Sequence, residues 1–342
     1  MLIPIKTAKE KGIEPLDAEM TEISLKELGL KESDFEEFLR KNIEAIFGDE
    51  ESLLIVGQQV HNSGGGRSDL TAIDDEGSIV LIELKRDLED IVGRKESFEF
   101  QAIRYAASYA NISTPEDLVD RVFARYIERH KSEYDLGELT SSEMGRRIIN
   151  DFLERNKATK TFNRRQRIIL AASAFDPQTL AAVSWLISNK VDICCFAFKP
   201  LMLGKQVFLQ IEKILPPARI EDFYLDVKTS GTLPNMNLTE AKSATKRTFL
   251  PRMKTLIEWG CLKPGDKLMI QKVQNSEAEV IDATTVRFKG QVMTFNQWGQ
   301  KATGWSAICI YEWAIHIAKG KSLDELRREK MEEISGNFNR AA

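Results

Sequence analysis

The chain has 342 residues, 42% of them hydrophobic and 29% charged, and a net charge of −4. That length and apolar content support two ordinary domains with cores of their own. The lack of a basic excess argues against a passive coat on DNA, while leaving room for local basic patches or for a nuclease whose own site is acidic. Four cysteines, with Cys194 and Cys195 adjacent in an apolar run, form no Cys-x-x-Cys pair. They read as reduced core thiols of a cytosolic protein, not as zinc ligands. The opening Met1-Leu2-Ile3-Pro4-Ile5-Lys6 lacks the apolar core of a signal peptide, and no stretch is long enough to cross a membrane. A cytoplasmic protein without a membrane partner is the expectation.

In chain order, residues 32–47 read as one amphipathic helix, with Ser33 or Asp34 as cap and Phe35, Phe38, Leu39, Ile43, Ile46 and Phe47 at helical spacing. Gly48 ends it. Ser52 to Val60 reads as a strand, followed by a loop through Gly64-Gly65-Gly66 to Arg67-Ser68-Asp69-Leu70. Those glycines would let backbone approach a phosphate, or simply make a flexible turn. Asp74-Asp75-Glu76-Gly77 is a hairpin signal. The run Ile79 to Ile82 is a buried strand whose alternation puts Leu81, Glu83 and Lys85 on one face. Asp69 is then expected beside Glu83, so that two carboxylates and an amine meet at the end of the hairpin. Mg²⁺ takes oxygen ligands, usually one or two carboxylates with waters and phosphate completing the shell. The helix that follows carries Gln101 and Tyr105 on one face, four residues apart.

Thr114-Pro115 starts a charged helical segment to about Asn156, expected as an insertion rather than a core piece. Next come a strand at Gln166–Ala174, a helix at Pro177–Asn189, and strands at Val191–Phe198 and Gln206–Ile214. This is a strand-helix-strand crossover onto the same sheet. Arg164, Arg165 and Arg167 could clamp a phosphate, although a solvated strand entrance is the safer reading. Residues 218–240 read as a linker, and a second unit follows over 241–342. It should hold a helix to Trp259, strands at Lys267–Val273, Ala278–Ala283 and Thr285–Phe288, a further turn with Gly290 and Met293 after it, an aromatic helix with Tyr311, Trp313 and His316, and a last charged helix from Ser322.

The spacing Asp69…Glu83-x-Lys85 resembles the motif of the PD-(D/E)XK nuclease superfamily, with Ser68 where a Pro is nominal. Gln101 and Tyr105 resemble the Gln-x-x-x-Tyr element of its RecB-like members. Glu36 and Glu37 resemble the acidic residue that many members place on the first core helix. The resemblance implies an α/β fold over residues 1–217, with a three-layer α/β/α restriction-endonuclease-like core and a helical insertion at about 114–160. It implies a metal-dependent DNA endonuclease using Mg²⁺ or Mn²⁺, held by Asp69, Glu83, the Leu84 carbonyl and Glu36. Lys85 would position the attacking water, Gln101 and Tyr105 would contact phosphate or Lys85, and the product would carry a 5′-phosphate. The second unit resembles the RAMA domain, associated with restriction enzymes and adenine methylases, as a small α+β domain. The matching residues are Leu256-Ile257-Glu258-Trp259-Gly260-Cys261-Leu262-Lys263-Pro264-Gly265-Asp266, Val286-Arg287-Phe288-Lys289-Gly290, Gly304-Trp305 and Trp313. Thr294-Phe295-Asn296 and Thr303 depart from its usual pattern. This implies a sensor of modified DNA in a restriction or defence role, with Arg67, Arg252 and Lys254 on the DNA backbone and a cage near Trp298 or Trp305. Two rivals stay open: a non-catalytic reader of modified DNA and an RNA nuclease. A homodimer is compatible with either.

Overall fold

The structure is a computed structural model that describes residues 5–8, 12–15, 19–61, 65–92, 96–217 and 250–341. The expected linker at 218–240, and the basic residues Lys242, Lys246 and Arg247, lie outside the described residues. Among the described residues the fold is mixed α/β, with a seven-stranded sheet, a six-stranded sheet and a two-stranded hairpin of β1 (Ile5–Ala8) and β2 (Gly12–Pro15). No helix among the described residues is long and apolar enough to cross a membrane.

The large sheet contains β3 (Met20–Glu22), β4 (Leu53–His61), β5 (Arg67–Asp74), β6 (Ile79–Lys85), β7 (Gln166–Ala172), β8 (Ile193–Leu203) and β9 (Gln206–Leu215). Strands β4, β5 and β6 form an antiparallel meander, and β6, β7 and β8 run parallel. Strand β8 pairs with β7 over Ile193–Ala197 and with β3 over Leu201–Leu203, while β9 pairs antiparallel along Cys195–Leu203. All seven residues of β6 are buried, so both of its faces are covered, as its near-continuous apolar run requires. The covering helices include α1 (Glu32–Lys41) against β5 and β6, and α4 (Phe98–Tyr109) against β6 and β7. The crossover helix α8 (Pro177–Ser188) lies against β8, β9 and α4. The Asp176 side chain caps it by accepting from the Gln178 and Thr179 amides.

The expected first helix divides in two. The Asn42 side chain donates to the Phe38 carbonyl at 2.8 Å, its backbone leaves helical geometry, and α2 (Glu44–Phe47) is a separate turn. The hairpin turn holds because Asp74 Oδ1 accepts from the Glu76 and Ser78 amides at 3.1 and 2.8 Å, with Gly77 at φ +84°. A Cβ at Gly77 would stand 2.9 Å from the Ala158 carbonyl oxygen. Gly77→Ala therefore meets both backbone strain and a rigid neighbour. It is expected to destabilise by about 1–3 kcal/mol in urea unfolding, and a midpoint at the wild-type value would contradict this account of the turn.

The helical segment, expected as an insertion rather than a core piece, buries an apolar face against the large sheet. It contains α5 (Pro115–Leu118), a π-turn at Val119–Phe123, α6 (Ala124–Arg129) and α7 (Ser141–Arg155), preceded by the short α3 (Leu88–Val92) and α4. Leu118, Val119, Phe123, Ile127, Ile149, Phe152 and Leu153 are fully buried, and the π-turn and α6 pack on β4. Its high charge occupies only the outer face of amphipathic helices.

The second sheet runs β13-β12-β11-β10-β14-β15, antiparallel throughout. Its strands are β10 (Lys267–Ile270), β11 (Ala278–Val280), β12 (Thr285–Phe288), β13 (Gln291–Thr294), β14 (Ala314–His316) and β15 (Lys321–Ser322). Its helices are α9 (Met253–Glu258), α10 (Phe295–Thr303), α11 (Ile310–Trp313) and α12 (Leu323–Ala341). Strand β13 follows the expected turn, which falls at Lys289-Gly290, and His316 lies on a strand instead of in the aromatic helix. This sheet's unit is hydrogen-bonded to the edge of the large sheet. Leu53 and Ala307 exchange backbone bonds at 3.0 Å, and the Ile55 amide donates to Ser306 Oγ at 2.9 Å. The start of the edge strand β4 is thereby covered.

Candidate metal centre

The β5–β6 register pairs Leu70 with Ile82, and one further step along it sets Asp69 opposite Glu83. The β4–β5 register, with Gln58 opposite Leu70 and Val60 opposite Ser68, likewise sets Gln59 opposite Asp69. The site is therefore a row across three strands, Gln59–Asp69–Glu83, with Lys85 two residues beyond Glu83 on the same face. Helix α1 brings Glu36 and Glu32 to it. Asp69 Oδ2 accepts from the Leu84 amide at 2.8 Å. Gln59 Nε2 donates to Asp69 Oδ1 at 3.2 Å and also to Glu36 Oε2. Lys85 Nζ donates to the Leu84 carbonyl, lies 3.5 Å from Glu32 Oε1 and stands 5.3 Å from the centre of the Phe98 ring.

Glu83 is fully buried, Lys85 is 2% exposed and Asp69 6%. Among the described residues neither Glu83 carboxylate oxygen has a hydrogen-bond partner, nor does Glu36 Oε1. Burial pushes the Glu83 carboxyl well above the usual range, Asp69 adds to the rise, and Lys85 opposes it. Burial also raises Asp69, against the pull of Lys85 and of the Leu84 amide. Glu36 is pushed up to about 7, chiefly by burial, with the Gln59 hydrogen bond pulling the other way. Buried carboxylates without partners are costly unless something charged completes them.

A hard divalent cation suits this donor set. Every available atom is an oxygen: Asp69, Glu83, Glu36 and the Leu84 carbonyl. No three His, Cys, Asp or Glu side chains among the described residues converge as a preformed cage. An arrangement of one or two carboxylates and a carbonyl, open to water and phosphate, is the one Mg²⁺ and Mn²⁺ use.

Gln101 Nε2 lies 3.2 Å from the Tyr105 hydroxyl, and the buried Tyr105 sets that hydroxyl against Gly66. Gly66 has φ +83°, and a Cβ there would collide with the hydroxyl. Arg104, paired with Glu96, donates to the Gly65 carbonyl at 2.8 Å. Helix α4 thus staples the end of the glycine loop, and Arg67 follows on the exposed surface. Glu37 is turned away from the row and bonds to Arg40 at 2.7 Å. Arg167 is buried on Glu51 at 2.7 Å, so it forms no phosphate clamp.

The tryptophan cage is corrected by the structure. Trp298 is fully buried and donates to the Ser276 carbonyl at 2.8 Å. Trp305 is 3% exposed, wedged edge-on between Phe152 and Trp313. Both fill core, and neither offers a face to a base. Arg252 is bound to Glu50 at 2.9 Å, whereas Lys254 is exposed, with Glu258 at 4.0 Å. The residue missed from the sequence is Gln59. Comparison of the chain with models of known protein families, with curated proteins and with solved structures gives no match.

Proposed function

We propose that the chain is a metal-dependent deoxyribonuclease that hydrolyses phosphodiester bonds internally in DNA, built on a three-layer α/β/α restriction-endonuclease-like core. The observation that carries this reading is Glu83: a fully buried carboxylate without a partner among the described residues, on one row with Asp69 and beside Lys85. A structural ion pair would have Lys85 on Glu83, yet the ammonium is on the Leu84 carbonyl and near Glu32.

In this reading Asp69, Glu83 and the Leu84 carbonyl hold Mg²⁺ or Mn²⁺, with Glu36 beside them. The bound cation supplies a Lewis acid for a phosphoryl oxygen and lowers the pKa of its water. Lys85 Nζ orients the attacking water and offsets the negative charge growing on the phosphoryl oxygen. The water oxygen forms the new P–O bond, the P–O3′ bond breaks, and the leaving oxygen takes up a proton, giving 5′-phosphate and 3′-hydroxyl ends. Burial of the row strengthens each of these interactions by excluding bulk water. The C-terminal unit acts in DNA engagement through exposed cations such as Lys254, and not through stacking on Trp298 or Trp305.

The test is cleavage of modified and unmodified DNA duplexes, and of RNA, with Mg²⁺, with Mn²⁺ and with EDTA. Cleavage of DNA that needs the cation and stops with EDTA is expected. Cation-independent cleavage, or DNA binding with no cleavage under any condition, would overturn the assignment.

A further inference from the structure

We propose that Gln59 stands in for the cation, its amide nitrogen holding Glu36 and Asp69 together until a divalent ion takes over that task. The inference rests on the metal-site reading above and adds to it a positioning residue. Two carboxylates from different elements, α1 and β5, are brought together in a poorly solvated place and would repel when both are charged. An amide NH₂ carries two hydrogens on one atom and so can serve two acceptors at once. Gln59 does this, donating to Asp69 Oδ1 at 3.2 Å and to Glu36 Oε2. The two carboxylates thereby set which way the amide faces.

The backbone supports the same reading. Gln59 has φ +51°, in the left-handed region that non-glycine residues seldom occupy. Such outliers persist where surrounding structure holds them, and they gather at functional sites. Here the surroundings are specific. The carbonyl of the preceding Gln58 accepts from Arg129 Nη1 at 2.8 Å, and its side-chain oxygen lies 2.9 Å from His130 Nε2. Helix α6 and the residue that ends it thus clamp β4 just before Gln59, and the turned backbone delivers the amide into the row. The partially positive end of a neutral group then lies between two carboxyl oxygens, where a cation would bind. Mg²⁺ or Mn²⁺ in that place would exchange two hydrogen bonds for the attraction of a full charge.

The test uses the full chain and three variants, followed by thermal unfolding in EDTA and in Mn²⁺, with Mn²⁺ binding read by electron paramagnetic resonance. Gln59→Met keeps length and backbone preference but removes the bridge. It is expected to lower the metal-free Tm by about 2–4 °C and to enlarge the rise that Mn²⁺ produces. Adding Glu36→Gln to it removes the repulsion and restores the metal-free Tm. Gln59→Lys places a fixed charge between the carboxylates, so it keeps the metal-free Tm and weakens Mn²⁺ binding about 10–100-fold. Wild-type Tm and Mn²⁺ response in Gln59→Met, or wild-type Mn²⁺ affinity in Gln59→Lys, would overturn the stand-in role while leaving the metal site in place. Absence of Mn²⁺ binding by the wild-type chain would overturn the metal-site reading itself.

Discussion

Lys85→Met is expected to reduce cleavage about 10²–10⁴-fold while the protein stays folded and still binds Mn²⁺. Methionine keeps the length of the stem and its packing on Phe98, so the substitution removes the ammonium and little else. That ammonium donates to the Leu84 carbonyl and sits near Glu32, the half-exposed member of the cluster. The readout is kcat for duplex cleavage beside Mn²⁺ affinity. Loss of kcat with affinity kept identifies a residue acting on the reaction, whereas loss of both would mean that Lys85 serves to build the site. Cleavage at the wild-type rate would remove Lys85 from the chemistry.

The second large effect is structural. Arg327→Met is expected to destabilise the whole protein by about 3–5 kcal/mol. Arg327 is 2% exposed and grips Glu50 with two bonds, at 2.9 and 3.0 Å, while its guanidinium stacks 4.0 Å from the centre of the Tyr311 ring. Glu50 lies just ahead of β4 and is itself buried, with Arg252 as its other partner. Removing Arg327 takes two of the hydrogen bonds from a buried carboxylate and leaves it only the part-exposed Arg252 among the described residues, while replacing both Glu50 and Arg327 with apolar residues leaves no buried charge there. Glu50→Leu combined with Arg327→Met should therefore unfold at higher urea than Arg327→Met alone. A single variant within about 1 kcal/mol of wild type would show the junction to be an ordinary surface contact. The same junction bears on deletion of the C-terminal unit, which would uncover the edge of β4 at Leu53 and leave Glu50 without its arginines.

The parts of this fold legible in the sequence are those governed by local pattern. The run Ile79–Ile82 with its alternating neighbours locates β6, and the Asp74–Gly77 turn sets the register that brings Asp69 opposite Glu83. The crossover β7-α8-β8 follows from strand and helix periodicity in the same way. Helix α10, which the sequence reading did not anticipate, carries a local signal all the same: Thr294 and Gln297 form a capping box and Gly304 ends the helix at φ +76°. What local pattern could not give was partnership across the chain. Charge in the segment from Pro115 to Arg155 suggested solvent, yet its apolar stripe is core, because a stripe's destination depends on β4 and not on its own composition. Tryptophan in a small domain suggested a binding face, and only the positions of Phe152 and Ser276 reveal that Trp305 and Trp298 are enclosed. Gln59 carried no signal at all, since a glutamine near a strand end gains meaning only through its rung, its positive φ and the Glu36 carboxylate brought over by α1.

The central claim is that the row of Asp69 and Glu83 binds a divalent cation, and it is tested most directly by titrating Mn²⁺ into the wild-type protein and into Glu83→Gln, with binding read by electron paramagnetic resonance. Glutamine keeps the shape of the buried side chain and removes its charge. The account predicts saturable binding to the wild-type chain and affinity weakened at least about tenfold in Glu83→Gln, with both proteins equally folded. Equal binding by the two, or none by the wild-type chain, would contradict it.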